Sequence, residues 1–338
     1  MKFLKHVLLA LVLLLSAPTA MNAQGKFVVP VTGRKVRLWV SDEQVLSLSA
    51  QEYQSYLKTA KISTNAANTA MVRKVGKRLA TAVETYLRNN NRYHGTDDSV
   101  LQVGAGHLPG TALPVRNNNR LDAIQNYSWE FNLVQDNSAN AFCMPGGKIV
   151  VYEGLLPVTQ SEDALAIVLG HEIAHAVAKH SAEQLSTQVK QQAGAKLLGA
   201  VLGATGVSNT TSLLTQTAFS LGSKLGSLKY SRDNESEADY MGLIFAAMAG
   251  YDPSVAVSFW QRMASSSTNS RLAFLSDHPS DAKRIACIQK WLPTDLKYYT
   301  PVKTTETTTK KATKQKKSAK KSGTKKKTTA KKSSKKKK

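Results

Sequence analysis

The sequence predicts an α+β fold dominated by helices, with a small sheet edging a cleft. Three observations carry this expectation. Apolar residues recur at three- and four-residue steps over 66–88 and again over 161–181, residues 128–134 alternate and are followed by a second apolar run at 148–152, and turn-forming residues fill the stretches between. With 338 residues and 42% apolar side chains, the chain can bury one sizeable core or two small ones.

From the N-terminus, Lys2 and Lys5 precede an apolar run over residues 7–15 and then small residues up to Ala23. This is the three-part layout of an export signal, so residues 1–23 are expected to be a signal peptide. The run is too short for the roughly 20 apolar residues of a membrane-spanning helix. Residues 41–60 and 66–88 read as scaffold helices, the second with Val72, Val75, Leu79, Val83 and Tyr86 on one face. The Asn-, Gly- and Pro-rich stretch 89–126 reads as loop.

Trp129, Phe131 and Leu133 alternate as in a half-buried strand, and 148–152 forms a second strand. Residues 140–147 between them read as a tight bend, because Gly146 and Gly147 permit backbone angles that other residues avoid. Such a bend sets up a sheet edge on which an extended peptide can pair through its main chain. The expected peptide contacts are Asn140, Ala141, Gly147 and Ile149.

Ser161 suits an N-cap, Glu162 and Asp163 complement the helix dipole, and Leu165, Val168 and Leu169 supply the apolar stripe of a helix over 161–181. Inside it lies His171-Glu172-Ile173-Ala174-His175. Residues one turn apart share a face, so both imidazoles can reach one metal ion with Glu172 beside them. A zinc ion held this way lowers the pKa of its bound water to roughly 7, and an adjacent carboxylate can take the proton as that water attacks a carbonyl. The chemistry implied is peptide-bond hydrolysis. His180 reads as a dipole-compensating cap at the helix end, a functional group being the alternative. The Gly-, Ala-, Ser- and Leu-rich stretch 193–228 reads as close-packed helices over the site, either plain core packing or a lid or client- or membrane-touching surface.

A catalytic zinc keeps one position for water, so the two histidines need one further protein ligand. Residues 231–239 supply it: a helix starting there puts Glu235 and Asp239 on one face and turns Glu237 away. Glu235 is assigned to the metal, and Asp239 to orienting a ligand histidine through its other ring nitrogen.

The formal charge of +23 is concentrated after Tyr299, where 17 lysines face a single acid, Glu306. Residues 300–338 have almost nothing apolar to bury and are expected to form a disordered Lys-rich tail, capable of loose contact with anionic lipid or lipopolysaccharide. Without interleaved aromatics there is no platform for stacking bases, which disfavours nucleic acid as partner. Cys143 and Cys287 are the only cysteines, and in an exported protein they can either pair or remain buried thiols.

The combination of His171-Glu172-x-x-His175, Glu235-x-x-Ala238-Asp239 and a later His278-Pro279 resembles the gluzincin zinc metallopeptidases of the CaaX prenyl protease type. With no spanning segments, the chain is most similar to their soluble bacterial periplasmic, BepA-like branch. The resemblance covers residues 40–292, including Asn140-Ala141-Phe142 and Pro145-Gly146-Gly147. It implies a zincin-like metallopeptidase domain over 24–299, with a helical N-terminal part at 41–88 and a catalytic core at 128–292. It also implies one Zn²⁺ per chain, and periplasmic endopeptidase activity on unfolded or misassembled envelope proteins, possession of a chaperone role with little proteolysis being the alternative. In the matching segment Asp277-His278-Pro279, the family places the histidine near the metal. Either His278 or Arg284 can then assist the oxyanion of the attacked carbonyl, or His278 can occupy the open zinc position at rest.

Overall fold

The computed structural model describes residues 24–88, 123–201, 230–265, Phe274, His278 and 282–301, with the backbone alone for residues 24, 25 and 192–201. The expected signal peptide, the loop over 89–122, most of the small-residue stretch over 193–228 and the Lys-rich tail lie outside these residues. The described fold is mostly helical with two small sheets, as the α+β expectation requires.

The first sheet is a hairpin not foreseen from the sequence, in which β1 (Gln24–Val28) pairs antiparallel with β2 (Lys35–Leu38). Its turn uses the left-handed backbone region at Gly33 (φ 70°) and also at Val31 (φ 72°), which a β-branched residue ordinarily avoids. Two scaffold helices follow where expected. α1 (Asp42–Thr59) starts at Ser41, whose side chain forms a capping box with Gln44, and α2 (Ala66–Arg88) buries Val72, Val75, Leu79, Val83 and Leu87.

The second sheet contains β3 (Glu130–Val134), β4 (Ala141–Met144) and β5 (Lys148–Tyr152), in the order β3-β5-β4. β5 runs parallel to β3 and antiparallel to β4. Half of the bend expected over 140–147 is therefore strand, and only Pro145, Gly146 (φ 89°) and Gly147 (φ 80°) make the turn. The strand was hidden because both of its faces are apolar. Cys143 and Ala141 face the main core with Phe131, Leu133, Ile149 and Val151, while Phe142 and Met144 join Tyr53, Val134 and Val150 in a second cluster. The outer edge of β3 is covered, since Ser63 N–H donates to the Leu133 carbonyl and Gln135 N–H to that of Lys61. The outer edge of β4 has no strand beside it among the described residues.

After the short α3 (Leu156–Thr159), α4 (Glu162–Val177) begins at Ser161, whose hydroxyl accepts from Ala164 N–H at 3.1 Å. It stops four residues before the expected position. Lys179 takes φ 56°, and the chain re-enters a helix as α5 (His180–Val201). α6 (Arg232–Met248) opens with a capping box between Ser231 and Asn234. α7 (Val255–Ser265) and α8 (Ala282–Asp295) complete the described α-helices. No helix among the described residues is long and apolar enough to cross a membrane.

α4 and α6 cross with their backbones in contact. A Cβ added at Gly170 would lie 2.6 Å from the carbonyl oxygen of Gly242, and one added at Gly242 would lie 2.7 Å from His171 N. Both partners are helix backbone and cannot yield as a side-chain tip can. Gly242→Ala should therefore lower the melting temperature by several degrees, since overpacking typically costs about 1–3 kcal/mol; an unchanged melt would contradict the crossing.

Asp295, at the end of α8, is fully buried, and neither carboxylate oxygen has a hydrogen-bond partner. Burial pushes its pKa well above the usual carboxylate value. The folded protein therefore holds a proton that the unfolded chain releases above about pH 4, and stability falls as pH rises from there toward the folded pKa. Asp295→Asn should raise the melting temperature at pH 7, with the gain shrinking toward pH 4. A gain independent of pH would refute this assignment.

Candidate metal centre

α4 presents His171 and His175 from one face, both about 1% exposed, with their Nε2 atoms 3.0 Å apart. α6, held against α4 by the glycine crossing, brings in Glu235. Its Oε2 lies 3.4 Å from His171 Nε2 and its Oε1 3.5 Å from His175 Nε2. His278 adds Nδ1, 3.2 Å from His171 Nε2 and 3.0 and 3.1 Å from the two Glu235 oxygens. One donor atom from each of these four buried residues lies within 4.8 Å of the others.

The protonation pattern asks for a cation. Asp239 Oδ1 lies 2.9 Å from His171 Nδ1 and accepts its proton, so that in the neutral ring Nε2 is a lone pair facing other acceptors, a place that only a proton or a metal ion can fill. Burial opposes a charge on His171, yet Asp239 and Glu235 outweigh it and raise its pKa. His175 is held well below its ordinary value, by burial first and by His171 second. Burial would raise Glu235, but its hydrogen bonds to His171 and His278 carry it well below the carboxylate range. Imidazole nitrogens and an ionised carboxylate at this spacing suit zinc, which takes four nitrogen, oxygen or sulfur donors at about 2.0–2.3 Å. The residues therefore fit the ion that the sequence implied.

Glu172 is 2% exposed, next to the cluster. Its Oε2 accepts the N–H of Cys143 in β4 at 3.2 Å, while its Oε1 has no hydrogen-bond partner and lies 3.4 Å from His278 Nε2. Burial pushes its pKa up to about 7, against the opposing influence of His278.

Arg284 reaches the cluster from the side of Asp239, with Nη1 3.6 Å from Glu235 Oε2. Its guanidinium donates to Asp239 Oδ1 at 2.6 Å and to the His278 carbonyl at 3.2 Å, and it stacks on Trp260 at 3.5 Å. It sits on the Nδ1 side of His171, 3.3 Å from that atom, because Asp239 attracts the charge there. The expected peptide contacts separate. Tyr152 N–H donates to the Asn140 carbonyl, so the bonded pairs of β4 and β5 alternate from there and Ala141 and Cys143 turn their main-chain groups to the outer edge. Asn140 closes the start of the strand, with Oδ1 accepting from Ala141 N–H at 2.9 Å. Gly147 and Ile149 are not brought to this edge: the Gly147 carbonyl accepts from Glu130 N–H, and Ile149 is fully buried in the central strand. A strand hidden within the expected bend put the edge one strand away from β5.

His180 is no solvent-facing cap. It is fully buried, with Nδ1 2.9 Å from His175 Nδ1 and Nε2 2.9 Å from Glu237 Oε2. Glu237 does turn away from the four donors, but into a buried network and not into water. Aromatic packing around the site went unread in the sequence. Tyr230 stacks on His175 at 4.1 Å and Phe274 on His278 at 4.6 Å, contacts that no fixed spacing announces. Cys143 and Cys287 are not joined in a disulfide.

Comparison with known proteins agrees with this chemistry. Over 175 residues the chain is 40% identical to the mitochondrial metalloendopeptidase OMA1 of Schizosaccharomyces pombe, covering 51% of this chain and 49% of that protein. It is 28% identical over 275 residues to the human mitochondrial metalloendopeptidase OMA1, covering 80% and 46%. It is also 28% identical over 164 residues to the beta-barrel assembly-enhancing protease of Escherichia coli, covering 47% and 33%. The chain thus spans half or less of each relative's length, and these matches do not single out the bacterial branch. The profile of peptidase family M48 matches residues 117–292, and the chain belongs to that family of zinc metallopeptidases.

Proposed function

We propose that the protein is a zinc-dependent endopeptidase in which His171, His175 and Glu235 hold the metal and Glu172 acts as general base and then general acid. The observation that carries this reading is the state of Glu172. A buried carboxyl with one oxygen fixed by the edge strand, the other without a hydrogen bond and a pKa near 7 is suited to exchanging protons at neutral pH. A purely structural metal has no use for such a group, which argues against the chaperone alternative.

Bound zinc would supply a Lewis acid that acidifies water and polarises the scissile carbonyl. The protein's own groups do the rest. The outward carbonyls of Ala141 and Cys143, whose N–H groups are held by Asn140 and Glu172, accept from the main chain of an extended substrate, so recognition depends on an accessible, unfolded backbone more than on side chains. Glu172 Oε1 takes the proton of the attacking water, and the same carboxyl returns it to the leaving amine. Asp239, steadied by Arg284, holds His171 in the tautomer that leaves Nε2 for the metal. The position of His278 Nδ1 among the donors supports the reading in which this ring would also hold the ion at rest and so close the site to substrate.

As to substrate and place, we propose unfolded or misassembled envelope proteins, met after export and in the periplasm. The N-terminal charge and apolar pattern supports export, and the beta-barrel assembly-enhancing relative supports an envelope setting. We further propose residues 24–299 as the peptidase domain, with the Lys-rich tail making loose contacts with anionic lipid or lipopolysaccharide.

Two experiments test the reading. Glu172→Gln should slow cleavage of an unfolded model protein at least 100-fold while zinc content stays unchanged, and a variant that cuts like the parent would exclude Glu172 as base. His278→Ala should speed cleavage if the ring closes the resting site; a loss of tenfold or more would assign the ring to the oxyanion instead.

A further inference from the structure

Behind the metal cluster, a second buried chain of polar contacts runs from His175 to the N-terminal hairpin. His175 Nδ1 meets His180 Nδ1 at 2.9 Å, and His180 Nε2 meets Glu237 Oε2 at 2.9 Å. Glu237 is fully buried and receives the Thr32 hydroxyl at 2.5 Å on Oε1 and Arg34 Nε at 2.8 Å on Oε2. Arg34 also forms a two-pronged pair with Glu183 at 2.8 and 2.9 Å, and Glu183 accepts from Asn234, next to Glu235. Thr32 and Arg34 flank Gly33, in the turn where Val31 adopts its unfavourable left-handed backbone.

Hydrogen-bond direction propagates along this chain. A carboxylate only accepts, so Glu237 requires the proton of a neutral His180 to sit on Nε2, leaving His180 Nδ1 as an acceptor. That acceptor in turn requires the proton of His175 on Nδ1, which frees His175 Nε2 to face the metal donors. Asp239 does the same for His171 in one step.

We infer that Glu237 and His180 are positioning residues that fix the tautomer and tilt of the ligand His175, and that Thr32 and Arg34 make the N-terminal hairpin part of the metal site. This rests on the zinc reading above. The hairpin lies outside the residues matched by the family profile, and a segment more than 130 residues from His171 in sequence thereby governs the ion's affinity. Carboxylate and backbone partners of ligand histidines typically contribute 10–100-fold to affinity, and the same scale is expected here.

The test measures zinc affinity of the metal-stripped full chain by chelator competition, together with the visible spectrum after cobalt substitution. The parent should bind one ion and Glu235→Ala should lose it; failure at that stage overturns the zinc reading itself. Given that control, His180→Leu should weaken zinc at least tenfold and shift the cobalt bands. His180→Asn, whose side-chain oxygen can stand in for Nδ1 as acceptor, should recover part of the loss although it fills less space. Arg34→Ala, on a partly exposed side chain, should weaken zinc severalfold and serves if His180→Leu does not fold. Unchanged affinity and spectrum in folded His180→Leu or Arg34→Ala, or an Asn variant no better than Leu, would overturn the relay while leaving the metal site intact.

Discussion

The contact on which the structure depends is the backbone crossing of α4 and α6 at Gly170 and Gly242. Without side chains between them, the two helices approach closely enough for an imidazole pair from one and a carboxylate from the other to meet without spacer residues. Everything the site does follows from that separation. Wider crossing would part Glu235 from both α4 histidines, and much of the cost of burying its carboxylate would lose its compensation.

Close approach creates its own problem, because nitrogen lone pairs and carboxylate oxygens then crowd one another out of reach of water. The protein answers with protons placed on the far side of each ring. Asp239 acts on His171, Arg284 steadies Asp239, and a longer path through His180 and Glu237 reaches His175. The metal cluster is thus the centre of two layers of polar partners drawn from α5, α6, α8 and the hairpin. Glu172 stands apart from both layers, tied to the sheet through Cys143, which couples the proton-transfer group to the edge where an extended chain would lie.

Much of this was legible in the sequence wherever function imposes a fixed spacing on one helix. His171 and His175 at one helical turn, and Glu235 and Asp239 at another, required only the geometry of the helix, and α1, α2, β3 and β5 followed from their periodicities. Contacts between distant segments left no such trace. β4 was missed because a strand buried on both faces does not alternate, and Pro145-Gly146-Gly147 drew attention to the turn. His180 looked like a helix cap because it follows the metal helix, whereas Lys179 breaks the helix there and swings the ring inward. Arg34 and Thr32 carried no signal at all, since their importance arises only when the hairpin packs against α6.

The central claim is that these side chains enclose one zinc ion with nitrogen and oxygen donors. Metal analysis combined with X-ray absorption at the zinc edge tests it most directly. The account predicts about one zinc per chain and a shell of nitrogen and oxygen neighbours at about 2.0–2.1 Å, with no sulfur. A protein purified without chelators that carries no stoichiometric zinc, or a shell containing sulfur from Cys143 or Cys287, would contradict it.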